Sequence, residues 1–131
     1  MKRNLPLIVG TVKPANTAGA AAGNGLVIER SNYRSAFVHL AVATVASSSS
    51  IVAKIQTGDS SDGSDMADYK PDGTNVATTA TLNASNTDTT LDVDLAGASK
   101  YVRIVTTVTG TAPSFQASVI LGDPEYGANF N

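Results

Sequence analysis

The chain has 131 residues and no cysteine, with only seven aromatic side chains among them (three Phe, four Tyr, no Trp). The length predicts one domain, and the lack of thiols excludes disulfides, thiolate metal sites and cysteine nucleophiles. The net charge of −2 is unevenly spread, because residues 1–34 carry a net +4 and residues 35–131 a net −6. An acidic body argues against nucleic acid as the main partner, and no run approaches the ~20 apolar residues that span a bilayer.

Small side chains dominate the composition, since Ala, Ser, Thr and Gly together make up more than two fifths of the chain. Burial stabilises a fold by about 25 cal/mol per Å² of apolar surface, so a core built from small side chains is lean. We therefore expect association in an oligomer or an assembly to add to the stability of the fold.

Short apolar runs that alternate with polar residues fill the middle of the chain, separated by Ser, Thr, Gly, Asn and Asp. None of these runs has a helical period. About seven short strands with turn residues between them are typical of a β-sandwich. The sequence predicts an all-β, antiparallel β-sandwich, Ig-like or jelly-roll-like, with strands at residues 26–29, 36–45, 51–57, 76–82, 90–95, 101–109 and 115–121.

The alternation begins at residue 26 and ends near residue 122, which predicts three parts. These are an extended N-terminal arm and linker (1–25), the β-sandwich body (26–122) and an irregular C-terminal tail (123–131). The apolar part of the arm is short and interrupted by Pro6, unlike the core of a secretory signal. We interpret the arm as part of the mature sequence.

Both ends of the chain carry side chains suited to contact with a partner. Leu5, Leu7 and Val9 alternate with a proline and an isoleucine, so this segment can add as a strand to a sheet edge of its own subunit or of a neighbour. The basic tip suits a negatively charged neighbour, and the aromatic tail suits insertion into a pocket. The predicted partner-binding residues are Lys2, Arg3, Leu5, Leu7, Ile8, Val9, Tyr126 and Phe130.

Two details of the strand arrangement follow from the pattern. Residues 36–45 are mostly apolar on both faces, which predicts a central strand that is partly covered on both sides. The short connection 96–100 predicts a hairpin between the strands that flank it. That hairpin would place Arg103 opposite Asp92 or Asp94 as an exposed ion pair.

The longest loop of the body, residues 58–72, contains five aspartates that offer oxygen ligands to calcium: Asp59, Asp62, Asp65, Asp68 and Asp72. Its spacing does not match an EF-hand, because placing Gly63 at the invariant glycine leaves Gly58 at the first ligand position. The favoured interpretation is a solvated, turn-rich loop, with calcium binding left open. Met66 and Tyr69 can anchor it through one helical turn or a short edge strand.

Other residues with chemical potential have plainer explanations. His39 is the only histidine, and it lies within a strand with no nucleophile elbow elsewhere, which favours a packed or interface histidine over a catalytic base. Asp92 and Asp94 resemble a carboxylate pair but fit the wet face of a strand. The glycine-rich residues 19–25 lack the lysine of a phosphate loop, and the sequon at Asn83 matters only in a secreted eukaryotic protein. We expect no catalytic residue, no cofactor and no metal site.

Three short motifs carry a resemblance to a known group. Residues 62–64 read DGS, residues 100–105 read KYVRIV and residues 121–124 read LGDP. In order and spacing the chain resembles small β-sandwich virion proteins of tailed bacteriophages, in which a strand leads to a DGS loop, a late strand reads K/R-Y-V-R-V and the last strand ends in x-G-x-P. The resemblance covers about residues 26–124 and departs from the pattern at residues 75–88.

The resemblance implies a non-enzymatic virion structural protein, of the capsid decoration or cement type, that stabilises the head by bridging major capsid subunits. The implied partners are the major capsid protein, copies of itself, or both, in a homo-oligomer or assembly without nucleic acid or membrane. The implied location is the virion, after synthesis in the host cytoplasm. Two alternatives stay open: a head–tail connector, tail or fibre component, and, from another class, a carbohydrate-binding or adhesin-like β-sandwich module.

Overall fold

The computed structural model describes residues 23–111 and 113–124. Within these residues the chain forms eight strands and no helix, and so none that could cross a membrane. The strands are β1 (Gly23–Asn24), β2 (Ile28–Glu29), β3 (Tyr33–Thr44), β4 (Ser50–Gly58), β5 (Ala67–Asp68), β6 (Thr87–Asp94), β7 (Tyr101–Thr109) and β8 (Ser114–Pro124). The predicted all-β class is confirmed.

The strands form two antiparallel sheets that face each other as a β-sandwich. The larger sheet has the order β1-β7-β4-β5, and β2 also pairs with β7. The smaller sheet has the order β6-β3-β8. The central position predicted for the strand at residues 36–45 is confirmed, because β3 pairs along most of its length with both of its neighbours.

The core lies between the two sheets and follows the predicted alternation. In β3, Val38, Leu40 and Val42 point inward and are buried, while the residues between them are more exposed. The other long strands contribute in the same way, through Ile51, Ala53, Ile55, Val93, Val102, Ile104, Val108, Ala117, Val119 and Leu121. Leu95, directly after β6, is buried as well. The largest fully buried side chains are those of leucine, isoleucine and valine, which agrees with the lean core predicted from composition.

The predicted hairpin between β6 and β7 is wrong. β6 pairs with β3 in the smaller sheet and β7 pairs with β4 in the larger one, so residues 95–100 cross between the sheets. Arg30 holds this crossing, because its Nε donates to the Ser99 carbonyl at 2.9 Å and its Nη2 donates to the Ala98 carbonyl. Such bonds to backbone carbonyls far along the chain fix the direction of the connection.

The predicted pairing of Arg103 with Asp92 or Asp94 is wrong for the same reason. Arg103 lies in register with Gln56 of β4. Its Nε and Nη2 donate to Gln56 Oε1 at 3.0 and 2.8 Å. The guanidinium is therefore held on the outer face of the larger sheet, away from both aspartates.

Residues 76–82, predicted as a strand, lie along the outer edge of β4 without a continuous ladder. They form isolated bridges to β4 at Thr78 and Leu82. Between these bridges, the Thr79 amide donates to the Ala53 carbonyl at 2.8 Å, and the Ala53 amide donates to Thr79 Oγ1 at 3.0 Å. A side-chain hydroxyl takes the place of a backbone acceptor here, which interrupts the ladder.

Two further differences concern strands, and one open alternative is decided. The two-residue β1 falls in the range predicted as linker, and β8 continues to Pro124, past the predicted end at residue 121. Of the two alternatives for residues 66–69, the structure shows the short edge strand, since Ala67 and Asp68 pair with β4.

The connections show which sheet edges lie on the same side of the sandwich. Residues 83–86 alone connect Leu82, at the outer edge of β4, to the start of β6 at Thr87. So short a connection keeps β6 on the side of the sandwich where β5 borders β4. Because β3 separates β6 from β8, β8 lies on the opposite side, where β1 and β2 border β7.

Replacing Leu40 by alanine tests the importance of the layer between the sheets. Leu40 is 0% exposed, so we expect Leu40→Ala to lower the free energy of unfolding by about 2–5 kcal/mol in urea titrations. The matched control is Leu26→Ala, because Leu26 is 67% exposed and its loss should change stability by about 0.5 kcal/mol or less. Equal unfolding midpoints for the two variants would contradict this account of the core.

Candidate interaction surface

The eight residues predicted to bind a partner lie outside the described residues. They are Lys2, Arg3, Leu5, Leu7, Ile8, Val9, Tyr126 and Phe130. Their role stays a prediction. The surface described below belongs to the body of the sandwich.

The acidic loop turns its carboxylates onto its own backbone. Asp65 accepts hydrogen bonds from the amides of Asp59 at 2.8 Å and Ser60 at 3.1 Å. Asp62 accepts one from the Ser64 amide at 2.9 Å. These backbone donors lower the pKa of both carboxyls, because they favour the ionised form. The carboxylates of Asp62 and Asp65 therefore stabilise the turns of the loop.

Asp72 organises the end of the same loop. Its Oδ1 accepts hydrogen bonds from the amides of Thr74 and Asn75 at 2.8 and 2.7 Å, and its Oδ2 accepts one from Asn75 Nδ2 at 2.8 Å. These donors, the Asn75 amide foremost, lower the pKa of Asp72 to about 2. Among residues 23–111 and 113–124, no three His, Cys, Asp or Glu side chains gather as metal ligands.

Tyr69 anchors the loop to the body, as the sequence predicted. Its side chain is buried in the core, and its hydroxyl donates to the Asp94 carbonyl at 2.7 Å. Burial raises the pKa of Tyr69. Next to it, Asp68 accepts from Lys54 Nζ and Gln56 Nε2, both at 2.8 Å, and these bonds, the Lys54 bond foremost, lower the pKa of Asp68.

The DGS motif and the KYVRIV motif meet in space. Gly63 has a positive φ of 74°, which favours glycine. A Cβ at this position would lie 2.8 Å from Val27 Cγ2 and 3.3 Å from Arg103 Nη1. The loop therefore packs closely against Arg103 of β7, and the glycine of the DGS motif permits that close approach.

His39 lies on the outer face of the smaller sheet. Its Nε2 lies 3.1 Å from Asp88 Oδ2, and the two side chains are 40% and 65% exposed. In the register of the sheet, His39 stands between Thr90 of β6 and Ser118 of β8. The sequence predicted a packed or interface histidine, and the structure places it half-buried on an open face beside a carboxylate.

The same face carries an apolar patch next to an acidic stripe. Phe37 is 37% exposed, and in register it stands between Asp92 of β6 and Ile120 of β8. Phe37 and Leu26 are the exposed large hydrophobic side chains of the described residues. Asp92 thus borders the patch of Phe37 and Ile120 on one side, and on the other side the patch reaches the β8 edge of the sheet.

The two edges of the smaller sheet differ sharply in charge. β6 carries Asp88, Asp92 and Asp94, all exposed, and Asp94 also accepts from the Ala96 amide at 2.8 Å. The prediction that Asp92 and Asp94 occupy the wet face of a strand is confirmed. β8 has no charged residue from Ser114 to Gly122.

Comparisons with known proteins add little to this description. No protein-family profile matches the chain, and no curated protein sequence matches it. Among solved structures, the SPBc2 prophage-derived protein YomS is similar over 92% of this chain and 98% of that chain, at 16% identity and a TM-score of 0.46. A likeness this distant carries no conclusion about fold or function.

Sequence reasoning missed the contrast between the two edges. It placed β6 in a hairpin with β7, so neither β6 nor β8 was recognised as an edge of a three-stranded sheet. The signal was present as the uncharged run 114–122 beside the three aspartates of 88–94. Its meaning depends on the strand order, which the alternation does not contain.

Calcium should leave this protein unchanged. Because the loop carboxylates accept backbone hydrogen bonds, we expect thermal unfolding curves in millimolar calcium and in excess chelator to superimpose. A rise of several degrees in calcium that disappears in an Asp65→Asn variant would contradict this prediction.

Acid should weaken the loop end through Asp72. Since the pKa of Asp72 in the fold is about 2 and its ordinary value is about 3.9, its contribution is complete above about pH 4 and is lost as the pH falls towards 2. The stability difference between wild type and Asp72→Ala in urea titrations should therefore shrink from pH 5 to pH 2.

A matched variant separates the donors of Asp72. Asn75→Ala removes the side-chain donor and keeps the two backbone amides, so its pH dependence should lie between those of wild type and Asp72→Ala. A wild-type minus Asp72→Ala difference that is constant over this pH range would contradict the role given to the carboxylate.

Proposed function

We propose that this protein is a non-enzymatic structural component of a bacteriophage virion, of the capsid decoration or cement type. In this role the sandwich sits on the shell and stabilises the head by bridging major capsid subunits. The contact between the DGS motif and the KYVRIV motif is the observation that carries the proposal.

The positions of the three motifs in the fold support the resemblance. The DGS residues follow β4 in the long loop, residues 101–105 open β7 directly after Lys100, and residues 121–124 end the last described strand, β8. Gly63 of the DGS motif packs against Arg103 of the KYVRIV motif, so these two motifs form one contact between the long loop and β7. Such a contact gives a structural reason for the two motifs to occur together in one chain.

The distribution of charge supports docking on neighbours. The described body exposes carboxylates on β6 and in the acidic loop, whereas the first residues of the chain are basic. Opposite charge on separate parts of one chain favours contacts between subunits over contacts with nucleic acid. Repeated over a shell, many weak contacts of this kind raise avidity without tight pairwise binding.

The lean core gives a physical reason for working in an assembly. Because Tyr69 is the one aromatic side chain among the buried core residues that the structure describes, each subunit gains comparatively little stability from its own interior. A shell that binds the folded sandwich and not the unfolded chain stabilises the sandwich against unfolding.

A connector, tail or fibre role is the alternative within the virion. Copy number distinguishes it, because a decoration protein covers the shell in hundreds of copies whereas a ring-shaped connector holds about a dozen or fewer. Quantitative mass spectrometry of purified virions measures this number directly.

Deleting residues 1–10 should abolish binding to heads of the phage whose genome encodes the chain. The described core begins at Ile28, so the shortened body should keep its β-sheet circular dichroism spectrum and its urea midpoint. Co-sedimentation with heads that lack the protein gives the readout. A Lys2→Glu, Arg3→Glu variant provides the matched control of intact length, and it should lose affinity in a salt-dependent way.

Undiminished co-sedimentation of the shortened chain would overturn the role of the arm. No binding of the intact chain to heads, together with its absence from purified virions, would overturn the proposed function itself.

A further inference from the structure

β8 is a long edge strand without a second partner among the described residues. It spans Ser114–Pro124 and pairs with β3 alone. In an antiparallel pair every second residue directs its N–H and C=O away from the partner strand. Those groups of β8 are arranged to accept another strand.

Natural sheet edges are commonly protected by charged side chains, proline or bulges. The opposite edge, β6, has that protection through Asp88, Asp92 and Asp94. In β8 the register irregularity opposite Val42 and Thr44 lies near its start, and Asp123 and Pro124 lie at its end. Between them the strand has no protecting feature.

We propose that β8 pairs antiparallel with β8 of a second copy. The two three-stranded sheets then join into one six-stranded sheet around a two-fold axis. This contact goes beyond the proposed function, because it forms between isolated subunits and needs no particle.

The sequence of β8 is complementary to itself in this arrangement. With Ser118 on the two-fold axis, Ala117 faces Val119 and Phe115 faces Leu121 of the other copy. Inward side chains then face inward side chains, so the cores of the two sandwiches lie on the same face of the joined sheet. On the outer face Gln116 lies opposite Ile120, and no charges are opposed.

The same operation on β6 is unfavourable. The two-fold registers with the longest overlap bring Asp88 opposite Asp92 or Asp94 of the second copy. Like charges directly opposite each other destabilise a strand pair. The smaller sheet is thus able to extend at one edge and not at the other.

The side of the sandwich that carries β8 has a second feature of an interface. β1 and β2 border the larger sheet on this side, and Leu26 lies between them with 67% of its surface exposed. Leu26 is more exposed than Phe37, the other exposed large apolar side chain among the described residues. Edge-to-edge pairing of β8 brings this side of one copy towards that of the other.

Single cysteines test the pairing directly, because the chain has no thiol of its own. Residues opposite each other in antiparallel strands have Cα atoms about 4.5–5.5 Å apart, within the range of a disulfide. Ser118→Cys places the new thiol on the proposed axis. Thr90→Cys is the matched control, since Thr90 flanks His39 in the same row on the other edge.

Under mild oxidation at micromolar concentration, we expect Ser118→Cys to form a disulfide-linked dimer on a non-reducing gel and Thr90→Cys to remain mostly monomeric. Equal cross-linking of the two variants would overturn the proposal, because it would indicate random collision. So would no cross-linking of either variant.

Sedimentation equilibrium tests the contact without a covalent bond. The wild-type chain should dimerise, and Ser118→Lys, which opposes two ammonium groups at the axis, should weaken the dimer by about tenfold or more. Thr90→Lys should leave the dimer unchanged. Urea unfolding of both lysine variants checks that each remains folded.

The chain that lacks residues 1–10 tests the main alternative, in which the N-terminal arm pairs with β8. If the intact chain is monomeric and only the shortened chain dimerises through Ser118, the arm covers β8 in the intact protein and the proposal is overturned. Binding of a monomeric Ser118→Lys chain to heads would leave the proposed function standing, so the two proposals fail independently.

Discussion

The layer of aliphatic side chains between the two sheets determines which residues of each strand face the core and which face outward. Leu40, Ile55 and Leu121 are almost fully buried, and so the strands that carry them must present alternate residues to the core. The remaining positions of each strand face outward without that requirement. They carry His39 on the smaller sheet and Arg103 on the larger one, and this surface rather than the interior is available for contacts.

Alternation predicted the strands and their buried faces, because both depend on a period of two that is visible in the sequence. It did not predict which strands lie side by side. The predicted connection 96–100 suits a hairpin, yet residues 95–100 cross between the sheets, held by Arg30 bonds to the carbonyls of Ala98 and Ser99. Those bonds join residues nearly seventy positions apart, so no local pattern contains them. The error about Arg103 followed from that single wrong neighbour.

The acidic loop shows the same division between local and distant information. The turn at Asp62 and Gly63 is readable from two adjacent residues, since Asp accepts from a nearby amide and Gly adopts a positive φ. The contact of that glycine with Val27 and Arg103 cannot be predicted in this way, because these residues come from distant parts of the chain. The predicted partner-binding ends lie outside the described residues, and their role stays a prediction.

The uncharged character of β8 is a constraint separate from the fold. Burial explains the apolar choice at Ala117, Val119 and Leu121, whose side chains face the core. It does not explain why the outward positions, Gln116 and Ser118 among them, also lack charge, when the outward positions of β6 carry three aspartates. Both strands are edges of one sheet and face the same solvent. The proposed pairing of β8 with a second copy accounts for this difference, because the uncharged edge is the one that leaves room for another strand.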